Sequence, residues 1–476
     1  MDRARGSGPW LQGGSDSPAP PLPDSPSRRR GVRLAGDKQF LGTRDSLPPA
    51  DGSDKPRLGD FAWTTYSEAK ELRDAVATSM VRRSFAAEVS DDSMPPPVWD
   101  FAAGKLAAHV AEAPVWTPDD VAADARGETA DESAASDAKA APVAAASAPT
   151  GPAPGVRFSA VACMSKNRAE LVILNHACYR QSWAVVPLYD TLGGDATIHA
   201  LGLTGVTAVF AAGEDCSKVI AAKVEASRLA STGPGAAAGD GAPAGRSEVG
   251  QAELDRCSER LATLVSFDAL SEDEEAAAEA AGLELLYWQD LVAEGRAAVE
   301  AGEAAVAEPP TPDTVECVCF TSGTTGVPKG VVLTHGAVVA SASGPFRLGL
   351  GGAFSPDDVY LSYLPYAHLF GRVLHCALIT YGVAIGFYSG DPRLIVDDLR
   401  LLRPTVFPSV PRLFNRIRDK VQAKVADTGG LAATLFAAAV SAKTANLRAT
   451  GVATHSFWDW AVLGKVKAGV GLDRVR

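Results

Sequence analysis

Short apolar runs alternate with longer amphipathic stretches in two parts of the chain, residues 156–223 and the region after residue 314. The apolar runs predict buried strands, and apolar residues at every third or fourth position predict helices between them. The predicted strands are 161–164, 184–188, 208–210, 316–320, 330–333, 359–363, 383–387 and 405–407. The predicted helices are 168–180, 336–343, 369–379, 392–402 and 411–425.

This alternation of strands and helices predicts an α/β fold. Strands that are joined through helices run parallel and are connected by right-handed crossovers, which builds layers around mainly parallel sheets. Pro392 and Pro411 stand at the start of two predicted helices, where proline is tolerated in the first turn. No repeat at solenoid spacing is present, which excludes a repeat architecture.

Three segments break the pattern. Residues 1–38 are rich in Pro, Ser, Gly and Arg and predict a disordered extension, although four arginines between 28 and 33 leave an organelle transit peptide open. Residues 88–154 and 227–252 are low-complexity stretches that we interpret as solvated insertions. Between the extension and the first insertion, residues 40–85 predict a strand that enters an amphipathic helix.

Charge and cysteine content narrow the class of protein. The net charge of −12 is concentrated in two acidic stretches, 88–150 and 265–310, so the remainder of the chain is basic and a phosphate ligand is not disfavoured there. No basic stripe interleaved with aromatics supports nucleic-acid binding. No apolar run reaches the roughly 18 residues of a membrane span, so any membrane contact would be peripheral. Seven scattered cysteines without a CxxC pair favour reduced thiols and an intracellular setting, with Cys317 and Cys319 as small buried hydrophobes.

The segment TSGTTGVPKG, residues 321–330, carries the clearest chemistry. Glycines let the backbone approach a ligand, successive N–H groups and hydroxyls donate to phosphate oxygens, and lysine adds a positive charge. A plain Ser/Thr/Gly loop is the alternative, but here these residues directly follow a predicted buried strand, and the Walker A spacing is absent. The candidate phosphate-binding residues are Thr321, Ser322, Gly323, Thr324, Thr325, Gly326 and Lys329.

This loop, followed by a strand and by Thr334 and His335, resembles the signature of the acyl-adenylate-forming (AMP-binding) superfamily. Five further segments resemble its long-chain acyl-CoA synthetase branch, and the resemblance as a whole extends over roughly two thirds of the chain. These segments are 61–69, 164–193, 360–373, 384–391 and 402–421.

The resemblance implies a long-chain fatty acid–CoA ligase. In such enzymes the loop holds the triphosphate of ATP, accompanied by Mg²⁺, while a fatty carboxylate attacks the α-phosphorus. Acyl-adenylate and pyrophosphate form, and the thiol of CoA then displaces AMP. The implied partners are therefore a fatty acid and CoA, and the implied location is cytoplasmic or peripheral on the endoplasmic reticulum or another organelle membrane.

The resemblance also points to His368, in the segment PYAHLF, as a catalytic residue near the acyl carboxylate and the path of the thiol. A histidine satisfied at a helix N-terminus is the alternative. Arg372, one helical turn later, would either support the same wall of the site or pair on the surface. Gly371 and His375 stand where the branch usually carries acidic residues.

The family's YGxTE motif, which supplies a magnesium-binding glutamate, does not occur in the sequence, nor do the hinge and the C-terminal lid domain with its catalytic lysine. We therefore expect residues 39–476 to be a partial large domain, incomplete at its C-terminus, and the chain to be a fragment of a full enzyme. A short protein without independent activity is the alternative. Other function hypotheses are an aryl or medium-chain carboxylate ligase and a non-catalytic binding module.

Overall fold

The computed structural model describes residues 37–47, 57–85, 87–89, 99–100, 105–106, 158–189, 192–232, 249–321, 328–347 and 354–475. The predicted N-terminal extension, apart from its last two residues, lies outside the described residues, as does most of the first predicted insertion. The described ends of the second predicted insertion are 227–232, which are helical, and 249–252, of which 251–252 are helical. Residues 322–327 of the glycine-rich loop also lie outside.

Most described strands belong to one eight-stranded sheet. Its strands are β3 (Ala87–Val89), β6 (Phe158–Met164), β7 (Ala184–Leu188), β8 (Ala208–Ala211), β9 (Thr263–Ser266), β10 (Glu284–Tyr287), β11 (Val315–Thr321) and β12 (Lys329–Thr334). Neighbouring strands follow the order β10-β9-β8-β6-β7-β11-β12, and β3 pairs with the start of β6.

The central strands of this sheet are parallel and buried on both faces, which explains their unbroken apolar sequences. All five residues of β7 are buried, and β6 pairs with it in parallel register from Ala160↔Ala184 to Met164↔Leu188. β11 continues the sheet in parallel beside β7, and β12 returns antiparallel to β11 as a hairpin. The hairpin therefore extends from the end of a buried strand.

A second sheet contains β1 (Gln39–Leu47), β2 (Arg57–Thr65), β13 (Val359–Ser362) and β14 (Ala384–Phe387), in the order β13-β14-β1-β2. Two short strands, β4 (Trp99–Asp100) and β5 (Lys105–Leu106), form a separate pair. β1 runs parallel to β14 and antiparallel to β2. Arg44 of β1 also forms a buried ion pair with Asp398, at 2.6 Å. The N-terminal part of the chain is thus built into a sheet whose other strands come from far along the sequence.

Helices cover the sheets. They are α1 (Tyr66–Arg82), α2 (Ala169–Arg180), α3 (Gly194–Thr204), α4 (Gly213–Thr232), α5 (Gln251–Arg260), α6 (Glu272–Ala280), α7 (Trp288–Glu300), α8 (His335–Arg347), α9 (Leu369–Thr380), α10 (Ile395–Leu402), α11 (Pro411–Thr428), α12 (Gly430–Thr450), α13 (Ser456–Trp458) and α14 (Gly464–Gly469). A π-helical turn, Asp459–Leu463, joins the last two. One hydrophobic cluster contains both Phe210 of β8 and Ile385 of β14, so the two sheets share a core.

The predicted α/β class with mainly parallel sheets is confirmed. Two details of the prediction are wrong. Residues 405–407 do not form a strand, because only the single bridge Tyr360↔Val406 is present. Pro392 does not lie in the first turn of a helix, since α10 begins at Ile395, whereas Pro411 does begin α11. Across the described ranges, no helix combines the length and apolar character that crossing a membrane requires.

Candidate functional site

The β11–β12 hairpin brings the two ends of the glycine-rich loop together. Thr321 and Lys329 are paired across the hairpin, and the Thr321 hydroxyl donates to the carbonyl oxygen of Lys329 at 3.5 Å. Both residues are exposed, although β11 is buried up to Phe320. Within the described part of the chain, the Lys329 ammonium has no hydrogen-bond or ion-pair partner. The predicted residues Ser322, Gly323, Thr324, Thr325 and Gly326 lie outside the described residues.

A histidine that sequence reasoning missed holds the far end of this loop. Nε2 of His199, on α3, donates to the carbonyl oxygen of Pro328 at 2.9 Å, and Nδ1 faces Glu253 of α5 at 2.8 Å. A carboxylate and a carbonyl oxygen only accept, so the protonated ring satisfies both contacts. The hydrogen bond to Glu253 accordingly raises the pKa of His199. This pair fixes the residue immediately before Lys329.

His368 lies at the N-terminus of α9, next to β11. Its Nδ1 accepts a hydrogen bond from the backbone N–H of Phe370 at 3.2 Å, and its side chain is exposed. The thiol of Cys319, two residues before Thr321, donates to the carbonyl oxygen of Ala367 at 3.7 Å. The structure therefore brings His368 to the strand that leads into the loop. Because Nδ1 accepts from the helix N-terminus, a neutral ring carries its proton on Nε2.

Arg372 does not pair on the surface. Its side chain is 1% exposed and its Nη1 contacts Glu316 Oε1 at 2.8 Å, Tyr179 OH at 2.9 Å and Asn175 Oδ1 at 3.0 Å. Tyr179 also donates to Glu316. Burial by itself would raise the pKa of Glu316, but the Arg372 guanidinium and the surrounding hydrogen bonds lower it overall. This ion pair ties β11 to α9, and hence the loop strand to the helix that begins after His368.

One helical turn after Arg372, α9 carries His375, which is fully buried. Its Nδ1 donates to the carbonyl oxygen of Gly371 at 2.8 Å, and its Nε2 accepts from the Ser362 hydroxyl at 3.1 Å. Asn167 in turn donates to the Ser362 oxygen at 2.9 Å. Burial lowers the pKa of His375 to about 4, so the ring is neutral at physiological pH. A neutral ring with one donor and one acceptor fits this chain of hydrogen bonds.

Gly371 packs too tightly against the preceding turn to carry a side chain. A Cβ at this position would lie 2.3 Å from the carbonyl oxygen of Pro365. We expect Gly371→Ala to lower the free energy of unfolding by about 1–3 kcal/mol, because a backbone clash cannot be relieved by a rotamer change. Urea unfolding measures this difference.

Gly344, inside α8, is the matched control for that substitution, since nothing lies within 4 Å of its Cβ position. Gly344→Ala should stabilise the protein by up to about 1 kcal/mol through helix propensity alone. Equal effects of the two substitutions would show that the Pro365 contact is not restrictive.

Cysteine residues and possible metal-binding groups are further candidates for chemistry at the site. All seven cysteines are free thiols, and Cys317 and Cys319 are buried as expected, with their sulfur atoms 3.5 Å apart. In the ranges that the structure describes, no group of three or more His, Cys, Asp or Glu side chains could hold a metal ion. In the described residues the site therefore consists of the exposed Lys329, the hydroxyl group of Thr321 and His368 around the end of a buried strand, which suits an anionic ligand.

Part of this sequence is similar to known proteins. A family model described as "AMP-binding enzyme" matches residues 144–456. The protein named "Long chain acyl-CoA synthetase 6, peroxisomal" from Arabidopsis thaliana is 36% identical over 310 residues, which cover 65% of this chain and 38% of that protein. The human protein named "Long-chain-fatty-acid--CoA ligase 1" is 33% identical over 318 residues, covering 66% of this chain and 40% of that protein. The matched region thus spans about two fifths of these relatives' length.

Solved structures share the fold. An adenylation and carrier didomain of a carboxylic acid reductase from Segniliparus rugosus, solved in complex with AMP, superposes with a TM-score of 0.54 at 17% identity, covering 95% of this chain and 50% of that chain. The adenylation domain of a carboxylate reductase from Mycobacterium chelonae gives a TM-score of 0.53 at 17% identity, covering 86% and 49%. The family model, which matches well over half of the chain, decides its membership: the chain belongs to the AMP-binding enzyme family.

Proposed function

We propose that this chain serves in a long-chain fatty acid–CoA ligase that activates a fatty acid with ATP. The relatives named above carry this activity in their names, and the chain spans about two fifths of their length. The carboxylate oxygen of the fatty acid would bond to the α-phosphorus of ATP as pyrophosphate leaves. The thiol of CoA would then bond to the acyl carbon as AMP leaves.

The observation that carries this proposal is the position of Lys329. Its exposed ammonium, without a partner in the described residues, stands at the mouth of the loop opposite Thr321. A phosphate group would supply the missing counter-charge, and the Thr321 hydroxyl would offer a further donor. Ser322, Gly323, Thr324, Thr325 and Gly326 complete the proposed phosphate site. His199 and Glu253 would hold this mouth in place through Pro328.

His368 is the proposed catalytic residue. With Nδ1 occupied by the helix N-terminus, its Nε2 would donate to the fatty carboxylate or orient the incoming thiol. Mg²⁺ does not fit a protein cage in the described residues, so we assign it no protein ligand here. Magnesium commonly binds through substrate phosphates, and we propose that it arrives with ATP.

The proposal includes the division of the chain into a domain, an extension and two insertions. Residues 39–476 would form most of the large domain, interrupted by insertions near 88–154 and 227–252 and preceded by the extension 1–38. An intracellular location is supported by the seven free thiols, and we propose that any membrane contact is peripheral.

The direct test is pyrophosphate release that depends on a fatty acid. We expect a long-chain fatty acid to support release in the longest open reading frame that contains this sequence. If only aromatic or short acids supported it, the ligase would act on another carboxylate. If the protein bound ATP with no acid-dependent release, a non-catalytic binding module would be the better assignment.

Lys329→Met should weaken ATP binding by about tenfold to a hundredfold, because a charge-assisted hydrogen bond contributes about 1.5–3 kcal/mol. Calorimetric titration of the chain with ATP measures the change. Lys467→Met, on α14, removes an exposed lysine elsewhere and should leave ATP binding unchanged. Equal weakening by both substitutions would mean that net charge, rather than a contact of Lys329, governs binding.

A further inference from the structure

A cavity of about 290 Å³ lies between α10, α11, the start of α12 and α14. Its floor is aliphatic, formed by Val396, Ile417, Val421, Val425, Val466 and Val470. Its basic lining residues are Arg400, Lys420, Lys424 and Lys465, and no lining residue is acidic. The volume is near the lower end of small-molecule pockets, which begin at about 300 Å³. The cavity therefore combines an aliphatic lining with basic side chains as its only charged lining residues.

Two of the four cations are available to a ligand. Arg400 is paired with Asp397 at 3.2 Å and donates to the carbonyl oxygen of Gly469 at 2.6 Å. Lys420 donates to the carbonyl oxygen of Arg393 at 3.3 Å. Lys424 and Lys465 are exposed and have neither a hydrogen-bond nor an ion-pair partner in the described part of the chain. These two ammonium groups lie on different helices, α11 and α14, at the edge of the same cavity.

The residues that line the cavity favour one class of ligand over others. A free phosphate or nucleotide would leave the aliphatic floor exposed to water, and the lining has no aromatic side chain on which a base could stack. A cationic or neutral amphiphile would gain nothing from the lysines. An amphiphile with one alkyl chain and an anionic head satisfies both parts, since the chain buries apolar surface and the head meets the ammonium groups.

We propose that this cavity is a binding site for a fatty carboxylate, with the alkyl chain against the valines and the carboxylate at Lys424 and Lys465. None of the lining residues belongs to β11, β12 or α9. The cavity is therefore separate from the hairpin of the proposed phosphate site and from the helix that follows His368, and the proposal stands whether or not the chain takes part in ligation. A carboxylate bound here would occupy a second, non-catalytic acyl site.

Calorimetric titration of the full chain with decanoate, at low ionic strength and below its micelle concentration, tests the proposal. We expect the double substitution Lys424→Glu with Lys465→Glu to weaken one class of decanoate sites by about tenfold, because two attractions become repulsions. Val425→Trp, which fills the floor while keeping both lysines, should abolish the same class of sites.

Lys467→Glu is the control, because it makes a lysine-to-glutamate change on α14 outside the cavity lining, with half the total charge change of the double variant. It should leave decanoate affinity within about twofold. Decyltrimethylammonium, with the same chain and the opposite charge, should bind the unaltered protein at least about tenfold more weakly than decanoate. The proposal is overturned if the double variant and Lys467→Glu bind decanoate equally, or if the cationic amphiphile binds as well as decanoate. Failure of ATP binding or of pyrophosphate release would leave these outcomes unaffected.

Discussion

Arg372→Met is expected to lower the free energy of unfolding by about 3–5 kcal/mol, the usual effect of removing one partner of a buried ion pair. The substitution keeps most of the side-chain volume but leaves the Glu316 carboxylate buried without its countercharge. The hydroxyl of Tyr179 and the amide oxygen of Asn175 lose a partner as well. Urea unfolding, followed by circular dichroism, measures the loss.

The double variant Arg372→Met with Glu316→Leu separates charge from packing. Removing both charges should recover at least about 2 kcal/mol of the single variant's loss, because no unpaired charge is then left inside. Arg418→Met is the control, since Arg418 pairs with Asp419 at the surface and should change stability by at most about 1 kcal/mol. Strictly additive effects of the two buried substitutions would contradict a coupled pair.

His375 should make the protein less stable as the pH falls. Its folded pKa of about 4 lies below the usual value of 6.5, so the fold favours the neutral ring. The stabilisation is fully present above the unfolded pKa and is lost as pH falls from about 6.5 toward 4. Between about pH 7 and about pH 5 the expected loss from this residue is about 2 kcal/mol.

His375→Asn isolates this contribution, because an amide can still donate to Gly371 and accept from Ser362 but does not titrate. The variant should show about 2 kcal/mol less destabilisation than the unaltered protein over the same pH interval. His199 acts in the opposite direction, since its raised pKa favours the protonated ring, so the comparison must be made between variants rather than from one curve. Parallel curves for the variant and the unaltered protein would contradict the assigned role of His375.

The buried central strands could be predicted because each of them is a continuous apolar run in the local sequence. β7 was predicted with its observed bounds, since AVVPL is a continuous apolar run between turn-forming residues. β1 was not predicted, because its sequence QFLGTRDSL mixes apolar and polar residues and is held by distant partners. The helix α6 was not predicted, because its sequence is strongly acidic. Ala278 alone is buried in it, so the sequence shows charge without a clear apolar stripe.

The residues of the candidate site could likewise be predicted only where the signal lies in the local sequence. The ends of the loop and His368 were predicted, and the structure places them around the end of β11. The residues that hold them were not, because their partners lie far apart in sequence. His199 and Pro328 are 129 positions apart, and Glu316 and Arg372 are 56 apart. No periodicity or spacing rule connects such pairs, and the sequence left Arg372 undecided between the site wall and the surface.

The placement of β1 between β2 and β14 has a consequence for synthesis on the ribosome. Arg44 and its partner Asp398 are 354 positions apart, so the β1–β2 hairpin leaves the ribosome long before β14 and α10 exist. At roughly 5–20 residues per second, about 18–70 s separate the two events. During that interval one edge of β1 and the charge of Arg44 lack their native partners, so the nascent chain presents an open strand edge that a chaperone would have to protect.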